Sequence, residues 1–243
     1  MTGPTIVLLH GVGLDHQMWA PLINRLGDRM TVISPDLPGH GVNPPAPLGI
    51  TLRDLADGVA SQIPARSHLV GFSLGALVAQ HIARFRPDSI ASLTSVSSVC
   101  KRTPAEREAV LGRLHVAEKD FSASAAASLR RWYDGTEVPS ETVEETGKVL
   151  RATDRDSFLN CYRVFATGDA EIGPELDHID VPSFAVTGEL DPGSTPEMTH
   201  RLAQSIPGCR EAIVAGGRHM LPVQCPAELA NHLITFIGEY AHV

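Results

Sequence analysis

The chain has 243 residues, of which 43% are hydrophobic and 20% are charged, a balance typical of a folded protein with a sizeable core. Its formal net charge is −8, and its longest basic run is Arg130-Arg131. Nucleic acid and membrane are therefore not expected as binding partners, since both attract clusters of Lys and Arg. The apolar run Thr5–Leu9 is too short for a signal peptide or a membrane span, so we expect a cytoplasmic protein.

Short β-rich runs alternate with longer helical patterns, which predicts an α/β fold: a mostly parallel sheet of about six strands with helices on both faces. The runs are almost entirely apolar, as expected for strands that are buried on both sides. The predicted strands are Ile6–Leu9, Thr31–Ser34, His68–Gly71, Ser92–Val96, Ser183–Thr187 and Ala212–Val214. The helical patterns between and after them cover about 17–26, 51–62, 74–86, 196–206 and 226–239.

This alternation stops between about Lys101 and Asp180, where the pattern is helical and contains no strand. Thr103-Pro-Ala-Glu106 is typical of a capping box at a helix start, and further helices are predicted over 121–133, 140–151 and 155–166. We interpret residues 101–180 as a helical cap, inserted into an α/β core of residues 1–100 and 181–243 within a single domain.

Gly71-Phe-Ser-Leu-Gly75 follows a predicted strand and opens a predicted helix. A serine on so tight a turn has a strained backbone, and side chains two residues to either side of it would collide. The helix that follows directs its N-terminal N–H groups towards the serine, where negative charge would develop. The pattern therefore predicts Ser73 as a nucleophile; an ordinary turn with a chance match is the alternative.

His10-Gly-Val-Gly13 directly follows the first predicted strand. Acyl transfer requires two N–H donors for the oxyanion, one beside the nucleophile and one from a neighbouring loop. The N–H of Leu74 is the expected first donor and that of Val12 the second, although Gly13 is an alternative to Val12. The glycines allow the backbone to approach a substrate, and Gly11 is counted among the expected substrate contacts.

A general base and an acid that orients it should lie at the carboxyl ends of later strands, where ligands bind in open parallel sheets. Among eleven histidines, His219 lies in a Gly-rich turn after the last predicted strand, and it is the predicted base. Asp191 lies in the loop after the strand before it and is the predicted acid, with Glu189 of the same loop as its rival.

Aromatic residues are concentrated in the predicted cap, and Trp132 and Tyr162 are the expected substrate contacts there. Trp19, just after the oxyanion loop, is a further candidate. Packing in the core is the alternative for each, as it is for Tyr133, Phe158 and Phe165. No metal and no cofactor are expected, since the sequence has no zinc-ligand spacing such as HExxH.

Four segments resemble the α/β-hydrolase family: His10–Gly13, Asp36-Leu-Pro-Gly-His-Gly41, Gly71–Gly75, and Gly188–Asp191 with Gly217–His219. Together with the strand–helix alternation they span nearly the whole chain. Leu14–Trp19, the short helical cap and Cys161-Tyr-Arg163 are most similar to the 3-oxoadipate enol-lactonase-like esterases and lactonases.

The resemblance implies an α/β-hydrolase fold and a serine hydrolase that cleaves a carboxylic ester or lactone of a small molecule through an acyl-enzyme. A C–C bond hydrolase, a lyase or a cofactorless oxygenase could use the same triad, because a fold does not determine a reaction. A non-catalytic binding protein that retains the fold is the alternative from another class. A homodimer is left open.

Overall fold

The computed structural model describes residues 3–240. Its sheet is entirely parallel, with the strand order β2-β1-β3-β4-β5-β6. The strands are β1 (Thr5–Leu9), β2 (Thr31–Ile33), β3 (Ser67–Phe72), β4 (Ile90–Val96), β5 (Ser183–Gly188) and β6 (Arg210–Val214). Each of the six predicted strands is confirmed to within two residues at either end.

Ten α-helices are present in the described part of the chain. They are α1 (Ala20–Leu26), α2 (Leu52–Ala60), α3 (Leu74–Phe85), α4 (Pro104–Lys119), α5 (Phe121–Tyr133), α6 (Ser140–Ala152), α7 (Arg155–Ile172), α8 (Pro196–Ser205), α9 (Leu221–Gln224) and α10 (Pro226–Tyr240). The capping box predicted at the start of α4 is formed: Thr103 accepts from the Glu106 N–H, and its own N–H donates to the Glu106 carboxylate. Between residues 3 and 240, no helix has both the length and the apolar character needed to span a membrane.

Helices cover the sheet on both faces. The chain moves from β1 outwards to the edge strand β2 and then back across the sheet. Right-handed crossovers therefore place α1 on one face and α2, α3 and α8 on the other. The packing agrees with this arrangement, since α1 contacts α10 whereas α2 contacts α3.

The four helices α4–α7 follow one another between β4 and β5, as the sequence predicts. The two ends of this segment are joined by a buried ion pair, in which Arg102 Nη1 lies 2.6 Å from Asp169 Oδ1. The N–H of Arg102 also donates to Asp169 Oδ2 over 2.7 Å. Helix α7 packs against α3, with Gly168 close to the Leu77 side chain. The boundary between core and cap stays a prediction, but α7 clearly shares the packing of the core.

The turn between β3 and α3 brings three stretches of backbone together. A Cβ at Gly71 would overlap the carbonyl group of Gly75, and a Cβ at Gly75 would overlap the carbonyl oxygens of Leu9 and His10 at the end of β1. Only glycine allows these approaches, so the two glycines let α3 begin directly beside β1.

Replacing Gly75 with alanine tests this packing. We expect Gly75→Ala to lower the free energy of unfolding by at least about 3 kcal/mol, because the new methyl group meets backbone that cannot move aside. Gly112→Ala on α4 is the matched control, since a Cβ there meets no atom within 4 Å. It should leave stability unchanged or raise it by up to about 1 kcal/mol. Urea denaturation measures both; equal stability of the two variants would contradict the tight crossing.

Candidate active site

Ser73 lies on the turn between β3 and α3, at the carboxyl edge of the sheet. Its backbone has φ 54° and ψ −112°, a left-handed conformation that a residue with a Cβ rarely adopts. The Ser73 N–H donates to the Val96 carbonyl over 3.0 Å, which fixes the turn to the end of β4. The hydroxyl lines a cavity and forms no hydrogen bond with any residue from 3 to 240.

Asp191 and His219 lie in adjacent loops after β5 and β6. His219 Nδ1 lies 2.7 Å from Asp191 Oδ2, and both side chains are buried. Because an ionised carboxylate only accepts hydrogen bonds, Nδ1 carries the proton and donates it. The second oxygen, Oδ1, accepts from the N–H groups of Gly193 at 2.8 Å and Ser194 at 2.9 Å. The carboxylate is therefore fixed in position from both sides.

These contacts also set the ionisation of Asp191. Burial alone would raise the pKa of its carboxyl group, but the His219 imidazole and the Ser194 and Gly193 N–H groups outweigh burial and lower the pKa. The rival acid, Glu189, is exposed, and its carboxylate accepts from the Gly216 N–H over 2.9 Å. Asp191, not Glu189, is thus the carboxylate that contacts the histidine.

The His219 ring is held between two aromatic side chains. The Trp132 ring stacks on it, with centroids 5.9 Å apart and planes inclined by 24°, and the Phe72 centroid lies 5.0 Å away. The Ser97 hydroxyl donates to the His219 carbonyl oxygen over 3.0 Å. Ser97 directly follows β4 and has a positive φ of 47°, so this contact comes from a second strained turn at the same edge.

The loop after β1 has one N–H engaged and one free. The Gly13 N–H donates to His40 Nε2 over 2.9 Å, so it is not available to a ligand. The Val12 N–H has no acceptor among residues 3–240, and Val12 lines the cavity that contains Ser73. Leu74 is the first residue of α3, and its N–H therefore has no partner inside the helix.

Two buried histidines support this loop. His10 Nε2 accepts from the Leu37 N–H over 2.9 Å, and the His10 and His40 rings meet edge-on with centroids 5.0 Å apart. Burial and the neighbouring His40 lower the pKa of His10 to about 3. Burial likewise lowers the pKa of His40. Both rings are thus neutral at pH 7 and can accept hydrogen bonds from backbone N–H groups.

One narrow cavity unites most of the predicted site. About 30 Å³ of it is open to the centre of a water-sized sphere, so the cavity is tight around Ser73. Its lining residues come from both the sheet edge and the helices α4, α5 and α7. They are Val12, Ser73, Asp191, Gly193, Ser194 and His219 at the sheet edge, with Arg113, Arg131, Trp132, Tyr162 and Phe165 from the helices.

Two predicted substrate contacts lie outside this lining. Trp19 is fully buried and meets the Phe72 ring edge-on, so the structure places it in the core, as the packing alternative has it. Gly11 is adjacent to the nucleophile turn: a Cβ there would lie 3.0 Å from the Phe72 ring and 3.3 Å from Ser73 Cβ. Tyr133 and Phe158 are also absent from the lining: the Tyr133 hydroxyl is 3.0 Å from Thr146 Oγ1, and Phe158 packs near Gly13.

Sequence reasoning missed Arg113 and Arg131. A single arginine in a helical pattern resembles any solvated position, and no motif distinguishes these two. A larger groove of about 660 Å³ lies between residues 14–23 and α6, and it contains neither Ser73 nor His219. The size of a cavity alone therefore does not identify the candidate active site. Within the described residues, no group of three or more His, Cys, Asp or Glu is placed to hold a metal ion.

Comparison with known proteins identifies the class. A model of the alpha/beta hydrolase family matches residues 6–232, and the chain belongs to this family. A relative in Acinetobacter baylyi, (E)-2-((N-methylformamido)methylene)succinate hydrolase, is 30% identical over 231 residues, covering 93% of this chain and 88% of that protein. The chain is therefore a hydrolase by family and fold, as the sequence predicts.

Two further proteins are similar along their length. A pimeloyl-[acyl-carrier protein] methyl ester esterase from Yersinia pseudotuberculosis is 26% identical over 243 residues, covering 96% of this chain and 93% of that protein. The crystal structure of the enol-lactonase from Burkholderia xenovorans superimposes with a TM-score of 0.86 at 26% identity, covering 98% of this chain and 92% of that one. The expected resemblance to esterases and lactonases is confirmed at the level of the superfamily.

The neutral histidines make stability depend on pH. A histidine whose pKa is lower in the folded than in the unfolded state stabilises the fold above the unfolded pKa, near 6.5, and this contribution is lost as the pH falls towards the folded pKa. Below pH 6.5, His10 and His40 should each lower the free energy of unfolding by up to about 1.4 kcal/mol per pH unit. The other titratable groups beside them are His16 and Asp36.

Urea denaturation from pH 7 to pH 4.5 measures this dependence. His40→Asn should show a shallower fall in unfolding free energy than the unchanged protein, because one suppressed titration is removed while an amide oxygen can still accept from Gly13. His115→Asn, at an exposed position on α4, is the control and should keep the original slope. Identical slopes for all three proteins would show that His40 is not held neutral.

Proposed function

We propose that the chain is a serine hydrolase that cleaves a carboxylic ester or lactone of a small molecule through an acyl-enzyme. The observation that carries this proposal is the meeting of a strained, unpaired Ser73 hydroxyl with the Asp191–His219 pair in one cavity. The likeness to two proteins, a methyl ester esterase and an enol-lactonase, supports this choice of bond.

In the first half-reaction, the Ser73 oxygen attacks the carbonyl carbon, and its proton passes to His219 Nε2. The imidazolium donates from Nδ1 to Asp191, which remains ionised. The N–H groups of Val12 and Leu74 donate to the oxyanion. The tetrahedral intermediate collapses as His219 returns the proton to the leaving alcohol oxygen, and the acyl group remains on Ser73.

In the second half-reaction, a water molecule gives its proton to His219 and attacks the acyl carbon. The intermediate then releases the carboxylic acid, and the proton returns to the Ser73 oxygen. For a lactone, the alcohol and the acid leave as one hydroxy acid. The hydrogen bond between Ser73 and His219 that this sequence requires would form when substrate is bound, as catalytic hydrogen bonds often do.

Two alternatives differ in what they require. A C–C bond hydrolase, a lyase or a cofactorless oxygenase would use the same three side chains on a different bond. A binding protein without catalysis would leave the strain at Ser73 without a function, since such strain persists where it serves a site. A panel of p-nitrophenyl esters of graded chain length, assayed beside simple lactones, separates the ester reaction from the others.

Labelling tests the nucleophile directly. A fluorophosphonate should label the protein stoichiometrically at Ser73, since the reagent traps an activated serine, and Ser73→Ala should abolish the labelling. The same variant should lower kcat for any cleaved ester by about 10⁴-fold or more. Ser122→Ala, at an exposed position of α5, should behave like the unchanged protein. Absence of labelling in the folded protein would overturn the enzyme proposal.

A pair of isosteric changes tests the acid. Asp191→Asn should lower kcat by about 10²-fold to 10⁴-fold, because an amide favours the wrong tautomer of His219 and cannot stabilise the imidazolium. Glu189→Gln keeps an acceptor for the Gly216 N–H and should stay within about twofold of the unchanged kcat. Steady-state kinetics on one ester compares the two variants. An unchanged kcat in Asp191→Asn together with a large loss of kcat in Glu189→Gln would contradict the assignment.

A further inference from the structure

Two arginines line the cavity without a carboxylate partner. Arg113 on α4 and Arg131 on α5 are half-buried, and both contribute to the same lining as Ser73. Arg131 donates to Ser128 Oγ over 2.9 Å, and Arg113 forms no hydrogen bond with any described residue. Neither takes part in an ion pair anywhere in residues 3–240, whereas other half-buried arginines, Arg84 and Arg201, are both paired.

The only carboxylate in the lining cannot neutralise them. Both oxygens of Asp191 are engaged by His219 and by the N–H groups of Gly193 and Ser194. Burial and the like charge of Arg113 lower the pKa of Arg131, while the charge of Asp191 opposes this. An arginine nevertheless stays protonated in proteins, so the cavity carries two cations close enough to repel each other.

Unpaired charges that are partly removed from water destabilise a fold unless something compensates them. The protein as a whole carries a net charge of −8, so its surface repels anions at long range. A positive cavity within an acidic protein therefore has the character of a binding site for an anion. The planar guanidinium group matches a carboxylate with two parallel hydrogen bonds.

We propose that the substrate carries a carboxylate in addition to the ester or lactone, and that Arg113 and Arg131 bind it while the scissile carbonyl lies at Ser73. The substrate class is thus the half-ester of a dicarboxylic acid or a lactone with a free carboxylate. This inference rests on the proposed ester or lactone hydrolysis. A carboxylate is also the smallest of the common organic anions, which suits the narrow cavity.

Matched substrates test the charge preference. The monomethyl esters of dicarboxylic acids with four to seven carbons carry one negative charge, and the corresponding dimethyl esters are neutral. At the preferred length, kcat/KM for the monomethyl ester should exceed that for the dimethyl ester by about 10-fold or more, since a hydrogen bond to a charged group contributes at least that factor. Hydrolysis is followed by proton release. Equal values for the two esters at every length would overturn the proposal.

Matched variants identify the residues. Arg113→Gln and Arg131→Gln should each lower kcat/KM for the monomethyl ester by about 10-fold to 100-fold and change the value for the dimethyl ester by less than about threefold. Arg130→Gln is the control, because Arg130 neighbours Arg131 on α5 but is exposed and does not line the cavity. It should leave both values unchanged. Equal losses on both esters would indicate a general structural effect and would contradict recognition of charge.

A binding measurement keeps the two proposals distinguishable. Ser73→Ala cannot form an acyl-enzyme, yet its cavity retains both arginines. Titration calorimetry should show that it binds a free dicarboxylate of the preferred length at least 10-fold more tightly than the corresponding diamide, and Arg131→Gln should abolish that preference. If no ester is cleaved but this binding preference is found, the proposed anion site is supported and the proposed ester hydrolysis is wrong. Tighter binding of a monoalkyl phosphate than of any dicarboxylate would overturn the choice of carboxylate.

Discussion

The site depends on the close approach of backbone beneath Ser73. Leu9 of β1 is paired in register with Gly71 of β3, and the carbonyl oxygens at the end of β1 lie where a Cβ of Gly75 would be. Ser73 lies two residues before this contact in its left-handed conformation, and α3 starts beside the end of β1. The Val12 and Leu74 N–H groups, the proposed oxyanion donors, thus come from two elements that pack side by side: the loop after β1 and the start of α3. Side chains at either glycine would separate them.

The loops that carry Asp191 and His219 are held together and then tied across the sheet. The Leu190 N–H donates to the Gly217 carbonyl over 2.8 Å, which joins the loops after β5 and β6. Strands β4 and β5 lie between β3 and β6, so His219 must reach over their ends to approach Ser73. Ser97 forms the link, because its hydroxyl donates to the His219 carbonyl. The orientation of the imidazole thus depends on contacts from three strand ends, as expected for a preorganised site.

The sheet and the residues at its carboxyl edge could be predicted because each has a local signal. Apolar runs mark the buried strands, and the glycines around Ser73 mark a turn that other residues cannot form. The positions of Trp19 and Arg131 have no such signal. Trp19 follows the loop after β1, where both a core and a pocket position are open to it, and only its contact with Phe72 in the fold decides for the core. Arg131 lines the cavity only because α5 packs across it. The sequence also gives no sign that His40 accepts a hydrogen bond from Gly13, since the two residues are 27 positions apart.

The helices α4, α5 and α7 line the cavity opposite the sheet edge, and contacts at both ends of α4–α7 attach them to the core. Asp169 on α7 binds Arg102 at the start of α4, and the Arg102 guanidinium lies 4.8 Å from the centroid of the Phe165 ring, which lines the cavity. Helix α5 contributes consecutive residues, Arg131 to the charge of the cavity and Trp132 to the stack on His219. A change in the packing of α5 would therefore move Arg131 and the ring that stacks on His219 together. In the proposed reaction, the carboxylate of the substrate and the general base would thus both be positioned by one helix.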